Sequence, residues 1–116
     1  MSEDTIFHRI MRRELPADVV YEDEDIIAFR DVAPQAPVHV LYVPKKTIRG
    51  LDAAEDGDAE LIGRLALAAA AYARREGFAE KGYRIVMNCN EEGGQTVFQM
   101  HLHLLAGAPL GRFGAP

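Results

Sequence analysis

A single long helical segment, set between two groups of short β-type runs, is what most narrows the folds open to this chain. "DAELIGRLALAAAAYARRE", residues 58–76, is rich in Ala and Leu, closes on Arg74 and Arg75, and is followed by Gly77. Helix propensity, basic residues against the C-terminal dipole end and a glycine just beyond it all favour a helix. Leu61, Ile62, Leu65, Ala69 and Tyr72 give it one apolar stripe. Without a strand–helix–strand rhythm there is no series of crossovers to build a parallel sheet. The expected class is therefore α+β with a mainly antiparallel sheet.

The remaining segments are short and sharply punctuated. "DTIFHRIMRREL" places Ile6, Phe7, Ile10, Met11 and Leu15 at roughly helical spacing behind Asp4 as N-cap, and predicts a short helix closed before Pro16. "DVVYED" and "DIIAFRDV" predict two strands joined by an acidic turn at residues 23–25. Pro34 and Pro37 interrupt "APQAP", and "VHVLYVP" then has the β-branched, apolar character of a buried strand. "YRIVMNCN", the glycine loop "EEGGQT" and "FQMHLHLLAG" complete the pattern, giving about five strands and two helices. We find no repeat and no linker, so residues 1–116 are expected to form one domain, with a core at about 4–106 and a flexible tail at 107–116.

The 116 residues are 48% hydrophobic and 27% charged, a profile that supports one globular core. An exposed edge on so small a sheet would be managed by pairing with a second copy. Thirteen basic against eighteen acidic residues leave a formal net charge of −5, which argues against a nucleic-acid polymer as the main partner. No apolar run approaches the ~20 residues of a membrane span. The acidic start "MSEDTIFHRIMRRE" is unlike a signal peptide, so the expected location is the cytoplasm. Cys89, the only cysteine, excludes an intrachain disulfide and a cysteine-rich zinc cage.

Chemistry concentrates in "NCNEEGGQTVFQMHLH". In an extended backbone Gln99, His101 and His103 share one face, and Met100, Leu102 and Leu104 the other. A solvated strand face or half of an adventitious metal site would show the same register, and the stretch by itself leaves these alternatives open. Gly93 and Gly94 permit a tight turn whose amides can form an anion nest, with Gln95 and Thr96 as uncharged donors beside it. This is not a P-loop, because the lysine and hydroxyl residue at Walker spacing are absent. Imidazole, with an ordinary pKa near ~6.5, serves as nucleophile or proton carrier at neutral pH. With no serine or cysteine elbow and no carboxylate cluster for two metals, the inventory best supports phosphoryl or nucleotidyl transfer through histidine, without a metal or other cofactor.

"GGQTVFQMHLHLLAG" resembles the signature of the histidine triad (HIT) superfamily. "TIFHRIMRRELPADVVYEDEDIIAFRDVAPQAPVHVLYVPKKTI" and "KGYRIVMN" are similar to its nucleotide-binding phosphoramidase branch, so the resemblance spans about Asp4 to Ala106. It implies a homodimer whose sheets join into one, each subunit binding a purine mononucleotide or nucleoside phosphoramidate. The implied activity is hydrolysis of purine nucleoside phosphoramidates through a nucleotidyl-histidine. His101 is then the nucleophile and His103 a donor to the phosphate or leaving group. Asn88, Gly94, Gln95 and Thr96 match phosphate and ribose contacts, with Thr96 where serine is common. Asp31 matches the acid that holds the ribose hydroxyls, Phe7, Ile10, Phe29 and Val32 the base pocket, and His39 a further histidine near the triad.

Gln99 departs from the family pattern, which has histidine there. The resemblance implies that a backbone carbonyl at this position orients the nucleophile, a feature that survives a side-chain change. Any proton relay through the side chain would be lost, since an amide does not titrate near neutrality. The alternative is a module that binds or senses an AMP-type nucleotide with little turnover. The tail "APLGRFGAP" is a second departure: relatives often carry an aromatic there that reaches the partner's site, a part Phe113 could take in place of the expected flexible end.

Overall fold

The computed structural model describes residues 3–114. Helix α1 (Ile6–Met11) is followed by strands β1 (Val19–Glu22), β2 (Ile26–Arg30) and β3 (Val38–Pro44), then by helix α2 (Ala59–Arg75) and strands β4 (Arg84–Val86) and β5 (Leu102–Ala106). The five strands form one sheet in the order β1-β2-β3-β5-β4, antiparallel at every neighbour. The expected α+β class and antiparallel sheet are what the chain adopts.

Alternation along the strands sorts side chains between two layers. Ile26, Ala28, Val40, Tyr42, Leu102 and Leu104 pack with Leu65, Ala69 and Tyr72 of α2 to form the main core. On the opposite face Ile27, Phe29, Leu41 and Val43 pack with Phe7 and Ile10 of α1. Six residues are too few for a helix to persist alone. Burial of Phe7 and Ile10, worth about 2 kcal/mol each, holds α1 on the sheet. Its N-cap is Thr5 rather than Asp4: the Thr5 hydroxyl accepts from Phe7 N and His8 N, and His8 Nδ1 accepts in return from Thr5 N. The acidic turn forms as expected, with Asp23 Oδ1 accepting from the amides of Asp25 and Ile26.

Two strands are shorter than their sequence patterns. β4 ends at Val86 because residues 87–90 leave the ladder for the glycine turn, and β5 begins only at Leu102. In the tail, Arg84 donates to the carbonyls of Leu110 and Gly111 and stacks over Phe113. Residues 115 and 116 lie outside the described residues. No described helix is long and apolar enough to cross a membrane.

The Tyr42 hydroxyl is fully buried beneath α2, with no hydrogen-bond partner among the described residues. Burial also pushes its pKa up, so it stays un-ionised. An unsatisfied buried hydroxyl costs on the order of 1 kcal/mol or more. Tyr42→Phe is therefore expected to raise stability by about 1 kcal/mol, read as a higher urea midpoint at unchanged m-value.

Candidate active site

The α1 face of the sheet opens into a cavity of about 380 Å³. Its apolar wall includes Phe7, Ile10, Phe29 and Leu41, while Asp31, Thr96, His101 and His103 bring polar groups to the same space. Val32 stands at the mouth, 97% exposed. Ile6, Leu15, Pro16, Ala17 and Val97 also line it. A larger cleft of about 750 Å³, between the α2–β4 turn and the end of β5, has Lys81 as its one charged lining residue among those described and is lined by none of the histidines.

The register brings the histidines together. Leu41 pairs with His103 and His39 with Leu105, so His39 and His103 stand on the same face of adjacent strands. The Gln35 amide donates to His39 Nδ1 (3.1 Å), which places the His39 proton on Nε2. That Nε2–H donates to His103 Nδ1 at 2.8 Å, leaving the His103 proton on Nε2. Asp31 stands beside the pair, its Oδ2 3.5 Å from His39 Nε2, while its Oδ1 accepts from Ala33 N.

His101 is oriented separately. Its Nδ1–H donates to the Gln99 carbonyl at 2.8 Å, so Nε2 carries the lone pair. The ring packs edge-on against Phe7 at 5.0 Å and lies 5.0 Å from the His103 ring, centroid to centroid. Burial holds His101 below the ordinary imidazole pKa against the opposing pull of the Gln99 carbonyl and Asp31. Burial likewise lowers His39, opposed by Asp31. His103 is pushed down to about 4, first by burial and then by the neighbouring His101 and His39. All three rings are therefore neutral at pH 7.

Burial of neutral His103 has a pH signature. Between its ordinary 6.5 and about 4, the unfolded chain takes up a proton that the folded chain does not. Stability therefore falls as pH falls through that window, and this contribution is fully lost below it. A His103→Gln variant is expected to lose less stability than the parent between pH 7 and pH 4.5, measured by urea unfolding at both values.

Other predicted site residues are placed differently. Gln95 is buried: its Oε1 accepts from Asn90 N, and its Nε2 donates to the carbonyls of Arg49 and Val97. Its side-chain donors are thus committed to the loop and do not face the cavity. The amides of Gly94 and Gln95 also bond within the turn, to Glu91 and Asn90, so they are not available to an anion nest. Gly93 is required sterically, because a β-carbon there would lie 2.4 Å from the Cys89 carbonyl oxygen. Gly94 takes φ +91° and lies against the Asn88 side chain.

Gln99 is the main correction to the shared-face expectation. Its side chain is fully buried and turns to the loop after β3, accepting from Ile48 N and donating to the carbonyls of Pro44 and Lys46. Residues 97–99 bend before the ladder begins, so strict alternation does not extend back to Gln99. Only its carbonyl serves His101.

Asp31, His39 and His103 are the one group of three potential metal ligands among the described residues, with donor atoms within 4.8 Å of one another. The Gln35 amide keeps the proton of His39 on the very nitrogen a cation would need. Binding there would require both the Gln35–His39 and His39–His103 bonds to be given up.

This geometry has close relatives. The HIT domain model matches residues 12–110. The purine nucleoside phosphoramidase of Escherichia coli K12 is 48% identical over 111 residues, covering 96% of this chain and 93% of that protein. An uncharacterised HIT-like protein of Synechococcus elongatus is 56% identical over 110 residues, covering 95% and 96%. A HIT family hydrolase from Clostridium thermocellum superposes with a TM-score of 0.92 at 42% identity, covering 99% of this chain and all of that one. By family model, sequence identity and superposition alike, the chain belongs to the HIT domain family.

Proposed function

We propose that this protein hydrolyses purine nucleoside phosphoramidates through a transient nucleotidyl group on His101. The observation that carries the reading is His101 itself: a neutral imidazole with Nδ1–H tied to a carbonyl and the Nε2 lone pair available beside the cavity. The E. coli relative named for the same activity supports the substrate class. Phe7, Ile10, Phe29, Val32 and Leu41 form the apolar wall for the base, and the Asp31 carboxylate retains acceptor capacity for ribose hydroxyls. Thr96 and His103, which line the same cavity, are the groups placed to meet the phosphate.

In the first step Nε2 of His101 attacks phosphorus, the P–N bond breaks, and the leaving nitrogen takes a proton from solvent and departs as the amine. The Nδ1–H bond to the Gln99 carbonyl stabilises the positive charge that the ring gains. The His103 Nε2–H, fixed by the bond from His39, donates to a phosphoryl oxygen. In the second step water attacks phosphorus, the P–Nε2 bond breaks, and a proton passes to solvent, yielding the nucleoside monophosphate. No metal takes part in either step.

We read the working form as a cytoplasmic homodimer. β4 is a three-residue edge strand, and exposed Tyr83 and Ile85 offer an apolar margin along which a second copy would extend the sheet. The test of the activity is steady-state release of a fluorescent amine from an adenosine phosphoramidate in the presence of a chelator. Sustained turnover yielding AMP is expected. AMP binding without turnover would instead make the protein a nucleotide-binding module.

A further inference from the structure

We propose that Gln99 is a positioning residue: its side-chain amide fixes the peptide whose carbonyl sets the orientation and tautomer of His101. This rests on the function proposed above. The bond from His101 Nδ1 to the Gln99 carbonyl leaves Nε2 unprotonated. Yet the peptide carrying that carbonyl lies outside the sheet ladder, which begins at Leu102. Strand pairing therefore does not hold it in place. The Gln99 amide does so with three hydrogen bonds of 2.8 to 3.1 Å to the backbone of Pro44, Lys46 and Ile48, and Met100 N adds one more to the Ile48 carbonyl at 2.7 Å.

The anchoring loop is itself fixed. It continues directly from β3, and Thr47 is joined to His8 of α1, the helix that forms one wall of the cavity. Gln99 thus references the nucleophile to the same backbone that positions the base wall. Both N–H donors and the acceptor of the amide are used, so a side chain of equal length without donors cannot replace it. In Gln99→Met all three bonds vanish, and in Gln99→Glu the two carbonyls of Pro44 and Lys46 meet a carboxylate.

The apolar wall is held chiefly by packing of Phe7 and Ile10 on Phe29 and Leu41, so the effect should fall on kcat more than on KM. A displacement of about an ångström at a nucleophile costs on the order of 100-fold in rate. The experiment compares kcat and KM for adenosine phosphoramidate hydrolysis in the parent, Gln99→Met, Gln99→Glu and Gln99→His, and reads the His101 tautomer from imidazole 15N shifts. The parent is expected to hold the Nδ1–H tautomer. Gln99→Met and Gln99→Glu should show mixed tautomers, with kcat lower by about 100-fold and KM nearly unchanged. Gln99→His, which restores one donor, should recover part of kcat. A kcat loss with the His101 tautomer unchanged, or no loss in either variant, would overturn the proposal. If the parent itself does not turn over, the proposed function fails, while the tautomer comparison still decides the role of Gln99.

Discussion

His101→Ala is expected to abolish phosphoramidate turnover, by at least about 10⁴-fold, while AMP binding persists. Among the described residues, the ring supplies the only lone pair in the cavity whose orientation is fixed by a backbone bond on its far nitrogen. Truncation removes the bond-forming atom, and His103 cannot replace it because the proton on its Nε2 is set by His39. The binding wall contributed by Phe29 and Leu41 belongs to strands β2 and β3, remote in sequence from position 101, and so should remain. Steady-state kinetics with calorimetric titration of AMP separates the two effects. An AMP affinity that collapses with the rate would mean that the substitution had disrupted the cavity.

The second large effect concerns His103. As a donor to the phosphoryl group it is expected to contribute 10²- to 10³-fold, so His103→Ala should lower kcat by about that amount. His39 acts through it, because the bond from Gln35 N to His39 Nδ1 and the bond from His39 Nε2 to His103 Nδ1 together decide which His103 nitrogen carries the proton. His39→Ala alone should therefore cost less than His103→Ala, and the double variant should be little worse than His103→Ala. Such non-additivity marks residues that work as one unit. Additive losses would show that His39 acts independently of His103.

Much of the scaffold was legible because its signals are local. β3 occupies residues 38–44, where Val38, Val40 and Val43 stand between the Pro37 breaker and Pro44, and α2 occupies nearly all of the Ala-rich segment. The juxtaposition of His101 and His103 was also legible from their spacing. Gln95 and Gln99 were not. Each is a polar residue beside a catalytic motif, yet each is buried and satisfied by carbonyls of the loop at residues 44–49, about fifty positions earlier in the chain. A period-two pattern also assumes extended backbone, and it fails where residues 97–99 bend before β5.

Other features of the cavity had only weak local signals. Leu41 reads simply as the interior of a buried strand, and its place in the wall follows from antiparallel pairing beside His103. Leu15, Pro16 and Ala17 read as the end of a helix, and they reach the cavity because α1 stops at Met11 and the chain turns back over the sheet. The tie between His39 and His103 spans sixty-four positions and is set by strand register.

The central claim is that the nucleotidyl group passes through His101 before water receives it. The direct measurement is the stereochemical course at phosphorus, using an adenosine phosphoramidate made chiral at phosphorus and hydrolysed in isotopically labelled water. Two successive in-line displacements, first by His101 and then by water, predict net retention of configuration. Net inversion would show a single displacement by water and would contradict the account.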